Sequence, residues 1–254
     1  MPTKNEIMVV RTLRDRKTRW EERKFVVEGH KGVAEAMSSG WKVCAVYAES
    51  RVSVEADWNP ECVSAKDMAR MSSLRTPPGI MAVMEMPDAS ASPPAEREEW
   101  PPFSLALDGI ADPGNLGTIL RTADWFGFSG VWISGDSVDP FNPKVVQATM
   151  GAIFRVGAWV VDLPDVLENA ASSGCRILGL DLSGKSVWEE ESDDDVPTVA
   201  VIGSESHGIS SAVRPLCSEF ITIPGKGQSE SLNAAMAAGI VMAAHDGLGR
   251  FNPK

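Results

Sequence analysis

Four cysteines, three histidines and one tyrosine in 254 residues leave several chemistries without their usual side chains. The cysteines (Cys44, Cys62, Cys175, Cys217) are scattered. That spacing supports neither a disulfide framework nor a thiolate metal site, so they read as buried small apolar residues of a reducing compartment. His30, His207 and His245 are far apart and form no metal-spaced cluster, so no metal is expected. No apolar run approaches the ~20 residues a bilayer span requires, and the opening MPTKNEIMVV lacks a signal-peptide pattern. The expectation is a soluble, cytoplasmic chain with no membrane partner. There is no G-x-S-x-G nucleophile elbow and no G-x-G-x-x-G fingerprint after a strand, which removes those hydrolases and dinucleotide enzymes.

What is present is ample apolar material, 43% hydrophobic against 23% charged, enough for a packed core. The net charge of −11 argues against binding a polyanion over the whole surface. The charge is uneven, however. Residues 1–32 hold nine lysines and arginines against five acids, and the remainder holds 15 against 30. A basic arm therefore precedes an acidic body. Arg14, Arg16, Lys17, Arg19, Arg23 and Lys24 of that arm are candidate phosphate contacts. A solvated helix face explains them equally well.

The Pro/Ala/Ser/Glu stretch 87–102, PDASASPPAEREEWPP, has no apolar periodicity and reads as a linker. It divides the chain into 1–86 and 103–254. The first part opens with a basic helical pattern and then alternates FVVEG, a helix over Lys31–Ser39, WKVCAVYAE, a short helix near Ser64–Met71, and GIMAVMEM. This is a small α/β unit. In the second part the strand candidates are SLALDGI, GVWIS, FRVGAWV, CRILGLD, TVAVIG and FITIP. Helical patterns fall at Leu116–Phe126, Pro143–Ala152, Asp165–Ser173, Ser210–Cys217 and Ser231–His245. Short, unalternating apolar strands of this kind predict a parallel sheet buried on both faces. The last helix is apolar nearly all round, which fits burial under the sheet, against a second subunit, or both. The acidic run Glu189–Asp195 reads as an exposed loop.

Gly179–Ser186, GLDLSGKS, satisfies the phosphate-loop pattern and follows a strand, which makes a nucleoside triphosphatase one alternative. Asp181 would set a negative charge beside the phosphates. The acidic VWEEESDDDVP follows where a helix N-terminus should receive an anion. TVAVIG lacks the acidic metal ligand expected next.

Three segments carry more. LALDGIADPGNLGTILRTADWFG ends a strand at Asp108, turns through Pro and Gly, and opens a helix near Asn115, a good N-cap. Arg121 lies between Leu120 and Ala123 on an apolar helix, so a partly buried guanidinium with a phosphate or carboxylate partner is expected. VAVIGSESHGIS ends a strand at Gly203 and turns through Glu205 and Gly208, where glycine permits close backbone approach to a ligand. ITIPGKGQSESLNAAMAAG ends a strand at Ile223-Pro224, and Ser231-Leu232-Asn233 opens the last helix, with Ser231 also readable as a plain N-cap.

In this order, each at a strand's end, the three segments resemble the motifs of the SpoU/TrmH family of the SPOUT superfamily of RNA methyltransferases. The resemblance spans about residues 105–245. NPKVVQATMGAIFRV is similar to the family's passage between the first two motifs, and KFVVEGHKGVAEAM to its appended substrate-binding domain. Gly225 departs from the pattern, where methionine is common.

The resemblance implies an α/β chain with a C-terminal parallel-sheet domain closed by a trefoil knot and a small N-terminal RNA-binding domain. It implies S-adenosylmethionine as methyl donor, a homodimer, and methylation of a ribose 2′-hydroxyl, with ribosomal RNA favoured over transfer RNA. Leu180, Gly203, Glu205, Gly208, Ile223 and Leu232 match cofactor-binding positions. Arg121 matches the catalytic arginine, open to completion by the partner subunit. Asn115, Glu205, Ser231 and Asn233 match the other polar positions of the motifs. A catalytically inactive RNA-binding protein of the same fold is the remaining alternative.

Overall fold

The computed structural model describes residues 2–87, 94, 96–189, 195–229 and 231–247. Most of the expected linker and of the acidic run lies outside the described residues. In chain order the elements are α1 (Lys4–Thr12), α2 (Arg16–Glu22), β1 (Lys24–Glu28), α3 (His30–Ser38), β2 (Val43–Glu49), β3 (Glu61–Val63), α4 (Ala65–Met71) and β4 (Ile80–Glu85). There follow β5 (Phe103–Asp108), α5 (Pro113–Phe126), β6 (Gly130–Ser134), α6 (Pro143–Thr149), β7 (Gly157–Val161), α7 (Leu163–Ser172), β8 (Arg176–Ser186), β9 (Thr198–Gly203), β10 (Glu219–Thr222) and α8 (Ala234–Gly247). No helix among the described residues is long and apolar enough to cross a membrane.

The chain forms two compact units. One gathers residues 1–89 with Asp139–Arg155, and the other gathers 90–138 with 156–254. The division therefore differs from a single cut at the linker, because a segment from the second half of the sequence packs with the first. The first unit carries a four-stranded sheet in the order β1-β4-β2-β3, antiparallel except for β2 with β3. Its core is built from Ile7, Val10, Leu13, Met68, Met81 and their neighbours. The segment from Asp139 adds Phe141, whose ring lies 4.9 Å from that of Phe25, and Phe154, 5.3 Å from Trp41.

A buried ion pair fixes the same segment. Arg19 is 1% exposed, and its Nε and Nη2 donate to Asp139 Oδ2 at 2.9 and 2.5 Å. Its Nη1 donates to the carbonyls of Leu13 and Arg14 at 2.9 and 2.7 Å. A buried guanidinium needs hydrogen-bond partners, and these four bonds engage all three of its nitrogens. Arg19 is thus withdrawn from the set of candidate phosphate contacts. Arg14 donates to the carbonyls of Arg70 and Ser72, and Arg23 to that of Pro87. Lys17 pairs with Glu21 and Lys24 with Glu22, both at nearly 4 Å, where exposed pairs hold little energy. Arg16 is exposed.

The second unit is a six-stranded, wholly parallel sheet in the order β10-β8-β9-β5-β6-β7. Every residue of β5 and all but the last of β9 are buried, as expected of central strands covered on both faces. Each fully buried valine or isoleucine there contributes about 1.5–3 kcal/mol. The expected helix over Ser210–Cys217 is only a 3₁₀ turn, Arg214–Leu216, because Pro215 cannot extend it. Two of the four cysteines depart from their expected burial: Cys44 and Cys62 are exposed, Cys175 is buried and Cys217 half-buried, and all are free. Helix α8 buries Ala234, Ala235, Ala238, Val241 and Met242 and packs on α5 of the same chain.

Candidate active site

Strand order reverses at β5. The chain runs outward through β6 and β7, then returns to lay β9 and β8 on β5's other side. In open parallel sheets such a reversal leaves a crevice at the strands' C-terminal ends, where ligands bind. The loops that leave β5, β8, β9 and β10 at this end hold the three sequence motifs.

The loop after β5 is set by Asp112. It is the N-cap of α5, accepting from the Asn115 N–H at 2.9 Å, with Pro113 at the first helical position. The cap therefore falls three residues before Asn115, and the Asn115 side chain is free to reach outward. Its Nδ2 donates to Glu205 Oε1, and its Oδ1 accepts from Asn233 Nδ2 at 2.8 Å. Asn233 caps α8 with its other amide atom: Oδ1 accepts from the N–H groups of Ala235 and Met236 at 3.0 and 3.2 Å. Asn233 takes the capping position that Ser231 offered, and Ser231 stands exposed. One hydrogen-bonded row, Glu205–Asn115–Asn233, thus ties the three motifs together.

The loop after β9 closes on itself. Ser204 and Gly208 exchange backbone hydrogen bonds of 3.1 and 2.8 Å, with Gly208 at φ +65°. A Cβ on Gly203 would lie 2.2 Å from the Gly208 carbonyl carbon, so only glycine permits this closure. Buried Asp108 accepts from the Ser210 N–H at 2.7 Å and anchors the loop's far end to β5.

The phosphate-loop pattern resolves into a different structure. It lies within β8, which continues through exposed Lys185 to Ser186. The pairing of β10 with β8 jumps from Phe220–Gly179 to Ile221–Lys185, so residues 180–184 leave the ladder. Asp181 holds this excursion. Its Oδ1 accepts from the Ser183 N–H and hydroxyl at 2.9 and 2.5 Å, and its Oδ2 pairs with Arg214 at 2.6 Å. The Arg214 guanidinium, with those Ser183 donors, holds the Asp181 carboxyl well below the usual carboxylate range. Arg214 itself lies 4.6 Å over the ring of Phe220. Gly184 is required because a Cβ there would lie 2.4 Å from the Ile221 backbone.

These loops enclose a cavity of about 270 Å³. Leu180, Gly203, Glu205, Gly208, Ile223, Ser231 and Leu232 line it with Asp181 and Ser204 of the same loops, as do Thr222 and Ala237, which sequence reasoning had not placed in a site. Asp112 carried a readable signal, an Asp before Pro at a helix start. Asp181 carried none, because its partner is 33 residues away. Gly225 has nothing within 4 Å of a Cβ position, so its departure from the motif leaves open space.

Arg121 differs from expectation. It is exposed, and among the described residues it has no hydrogen-bond or ion-pair partner. Gly114, Thr118, Arg121 and Trp125 follow at spacings of four, three and four and form the exposed stripe of α5, whereas Leu116, Ile119, Leu120 and Ala123 face inward.

Motif loops joined at the switch point of a parallel sheet, around an apolar cavity, define a ligand-binding α/β domain with a separate α/β module before it. The chain belongs to the SpoU rRNA methylase family, whose model matches residues 102–243. Residues 4–82 match the MRM3-like substrate-binding domain. The chain is 31% identical to a 23S rRNA (uridine(2479)-2'-O)-methyltransferase of Streptomyces viridochromogenes, over 90% of this chain and 84% of that one. It is 35% identical to an uncharacterized tRNA/rRNA methyltransferase of Synechocystis over 71% of its own length, and there spans only 64% of the relative. Among solved structures it resembles a TrmH-family protein of Porphyromonas gingivalis (38% identity, TM-score 0.84, 96% and 98% of the two chains covered). It also resembles the SpoU methyltransferase AviRb of Streptomyces viridochromogenes in complex with the cofactor AdoMet (26% identity, TM-score 0.83, 98% and 100% covered).

Proposed function

We propose that this protein transfers a methyl group from S-adenosylmethionine to a ribose 2′-hydroxyl of RNA, with ribosomal RNA as the substrate class. The observation that carries the reading is the row Glu205–Asn115–Asn233, which joins three motif loops beside the cavity. The names of the Streptomyces relatives, a 23S rRNA 2′-O-methyltransferase and an AdoMet complex, support the reaction and the donor.

The cavity's chemistry fits that donor. Leu180, Ile202, Ile223, Leu232 and Ala237 offer an apolar surface for a purine, and the carboxylates of Asp181 and Glu205 suit a cationic ligand. When bound, the donor supplies an electrophilic methyl on a sulfonium. The protein's own work is alignment and handling of a proton. Arg121 stays protonated in any such site, so it does not serve as base. As an exposed guanidinium without an internal partner it is suited to hold the target nucleotide's phosphate. A 2′-hydroxyl acceptor makes the nucleic acid RNA.

The reading includes a homodimer acting in the cytoplasm. Trp125 on α5 and Met236 on α8 are 84% and 60% exposed, and these two helices pack on each other. Exposed apolar side chains on paired helices are the kind of surface a second copy covers. Free, exposed Cys44 and Cys62 suit a reducing compartment.

The test is direct. Calorimetric titration should show donor binding, and labelled methyl should pass from the donor to unmodified 23S ribosomal RNA, at a site mapped as 2′-O-methyl. Donor binding without transfer to any RNA would favour an inactive RNA-binding protein of this fold.

A further inference from the structure

We propose that His207 is the proton acceptor of the reaction, reached from the cavity through the hydroxyls of Ser204 and Ser206; this rests on the methyl-transfer reading. Ser204 lines the cavity. Its Oγ lies 3.1 Å from Ser206 Oγ, which lies 2.7 Å from His207 Nδ1. The His207 N–H donates to Ser204 Oγ at 3.2 Å, so the three side chains are held by one closed loop. Two hydroxyls and an imidazole thus form an unbroken row from the cavity wall to the surface. His207 Nε2 has no partner among the described residues, which leaves it open to water.

The reaction needs such an outlet. As the 2′-oxygen bonds to the methyl carbon, the carbon–sulfur bond breaks and its electron pair stays on sulfur. The hydroxyl proton passes to Ser204 Oγ as the Ser204 proton moves to Ser206 Oγ and the Ser206 proton moves to Nδ1. The positive charge lost by the sulfonium reappears on the imidazolium, so the site's net charge is unchanged. Imidazole is the side chain suited to this exchange near neutral pH. The other histidines are otherwise engaged: His30 belongs to the other unit beside Glu55, and His245 stacks on Phe103.

The charged groups of the loop and of the elements beside it are few. Glu205 is in the loop itself, held by Asn115. Asp136, at the end of β6, flanks Gly109 together with Ser204. Asp112 caps α5, and Arg121 is an exposed cation of that helix. Asp108 holds the loop's far end through the Ser210 N–H.

Two measurements decide the matter. Single-turnover methylation of unmodified, in vitro transcribed 23S ribosomal RNA should rise with pH through the imidazole range in the wild type. His207→Ala should lose that inflection and slow about 100-fold, the low end for a lost general base. Donor affinity should be unchanged by calorimetry, and free imidazole should restore part of the rate. Ser206→Ala should weaken the inflection. A wild-type pH profile in His207→Ala would overturn the relay while leaving the methyl-transfer reading intact. A wild type that binds the donor yet leaves this RNA unmethylated would instead overturn that reading, and the relay with it. The second measurement needs no RNA. The ¹⁵N resonance of His207 Nδ1, assigned with His207→Gln, should shift in Ser206→Ala; an unmoved resonance would remove the hydrogen-bond row.

Discussion

Arg121 is an exposed guanidinium with no partner among the described residues, and such a side chain contributes little to stability. Arg121→Ala should leave folding and donor affinity unchanged and lower methylation by about 100-fold or more, the scale of a lost electrostatic contact to a reacting group. Equal single-turnover rates in the two proteins would remove Arg121 from the mechanism. Asp181 makes a different case. Its carboxyl is held low by Arg214 and Ser183, so the energy of that pairing is complete above the unfolded carboxylate value of about 4. It is lost only as pH falls through the still lower folded value. Loss of that pairing should therefore add nothing to any change in wild-type donor affinity between neutral pH and about 4. In Arg214→Ala the carboxyl returns toward its ordinary value, and the 180–184 excursion should begin to loosen within that range. Calorimetry at stepped pH would read the difference, and coincident profiles would show that the pair does not hold the loop.

At the scale of elements, the sequence displayed most of the second unit. Short apolar strands punctuated by Gly and Pro are strong local signals, and the three motif loops lay where strands were expected to end. Local signals fail where a partner is distant. Arg19 looked like one more basic side chain of a solvated arm, yet it is buried against a carboxylate 120 residues on. For the same reason α6 appeared to be an ordinary part of the second unit. Its buried Val145 and Val146, with Phe141 and Phe154, complete the first unit's core instead. Removing Asp139 would leave a buried, unpaired guanidinium, which typically costs about 3–5 kcal/mol. Asp139→Ala should destabilise the first unit by that amount in chemical denaturation, followed by Trp20 and Trp41 fluorescence. It should leave donor binding in the second unit unaltered. By the same logic a chain lacking residues 1–86 exposes the apolar face of 139–155, so an isolated second unit needs that segment shortened as well.

The molecule as a whole sets a basic arm against an acidic body, with net charge −11. Arg19 is buried and Arg14 and Arg23 donate to carbonyls, whereas Arg16 and Lys17 are the cations that α2 exposes to solvent. Counterion release makes affinity for RNA fall with salt in proportion to the phosphates neutralised. If Arg16 and Lys17 each meet a phosphate, replacing either by alanine should lower the slope of log affinity against log salt by roughly 0.7–0.9. The loss should be similar across RNA sequences, since phosphate contacts carry no sequence information. Arg19→Ala should behave otherwise, lowering the first unit's stability and binding together, because its charge is spent inside. Filter binding at stepped salt separates these outcomes. A slope unmoved by Arg16→Ala and Lys17→Ala together would mean that α2 faces solvent in the complex, and that RNA is held elsewhere on the first unit.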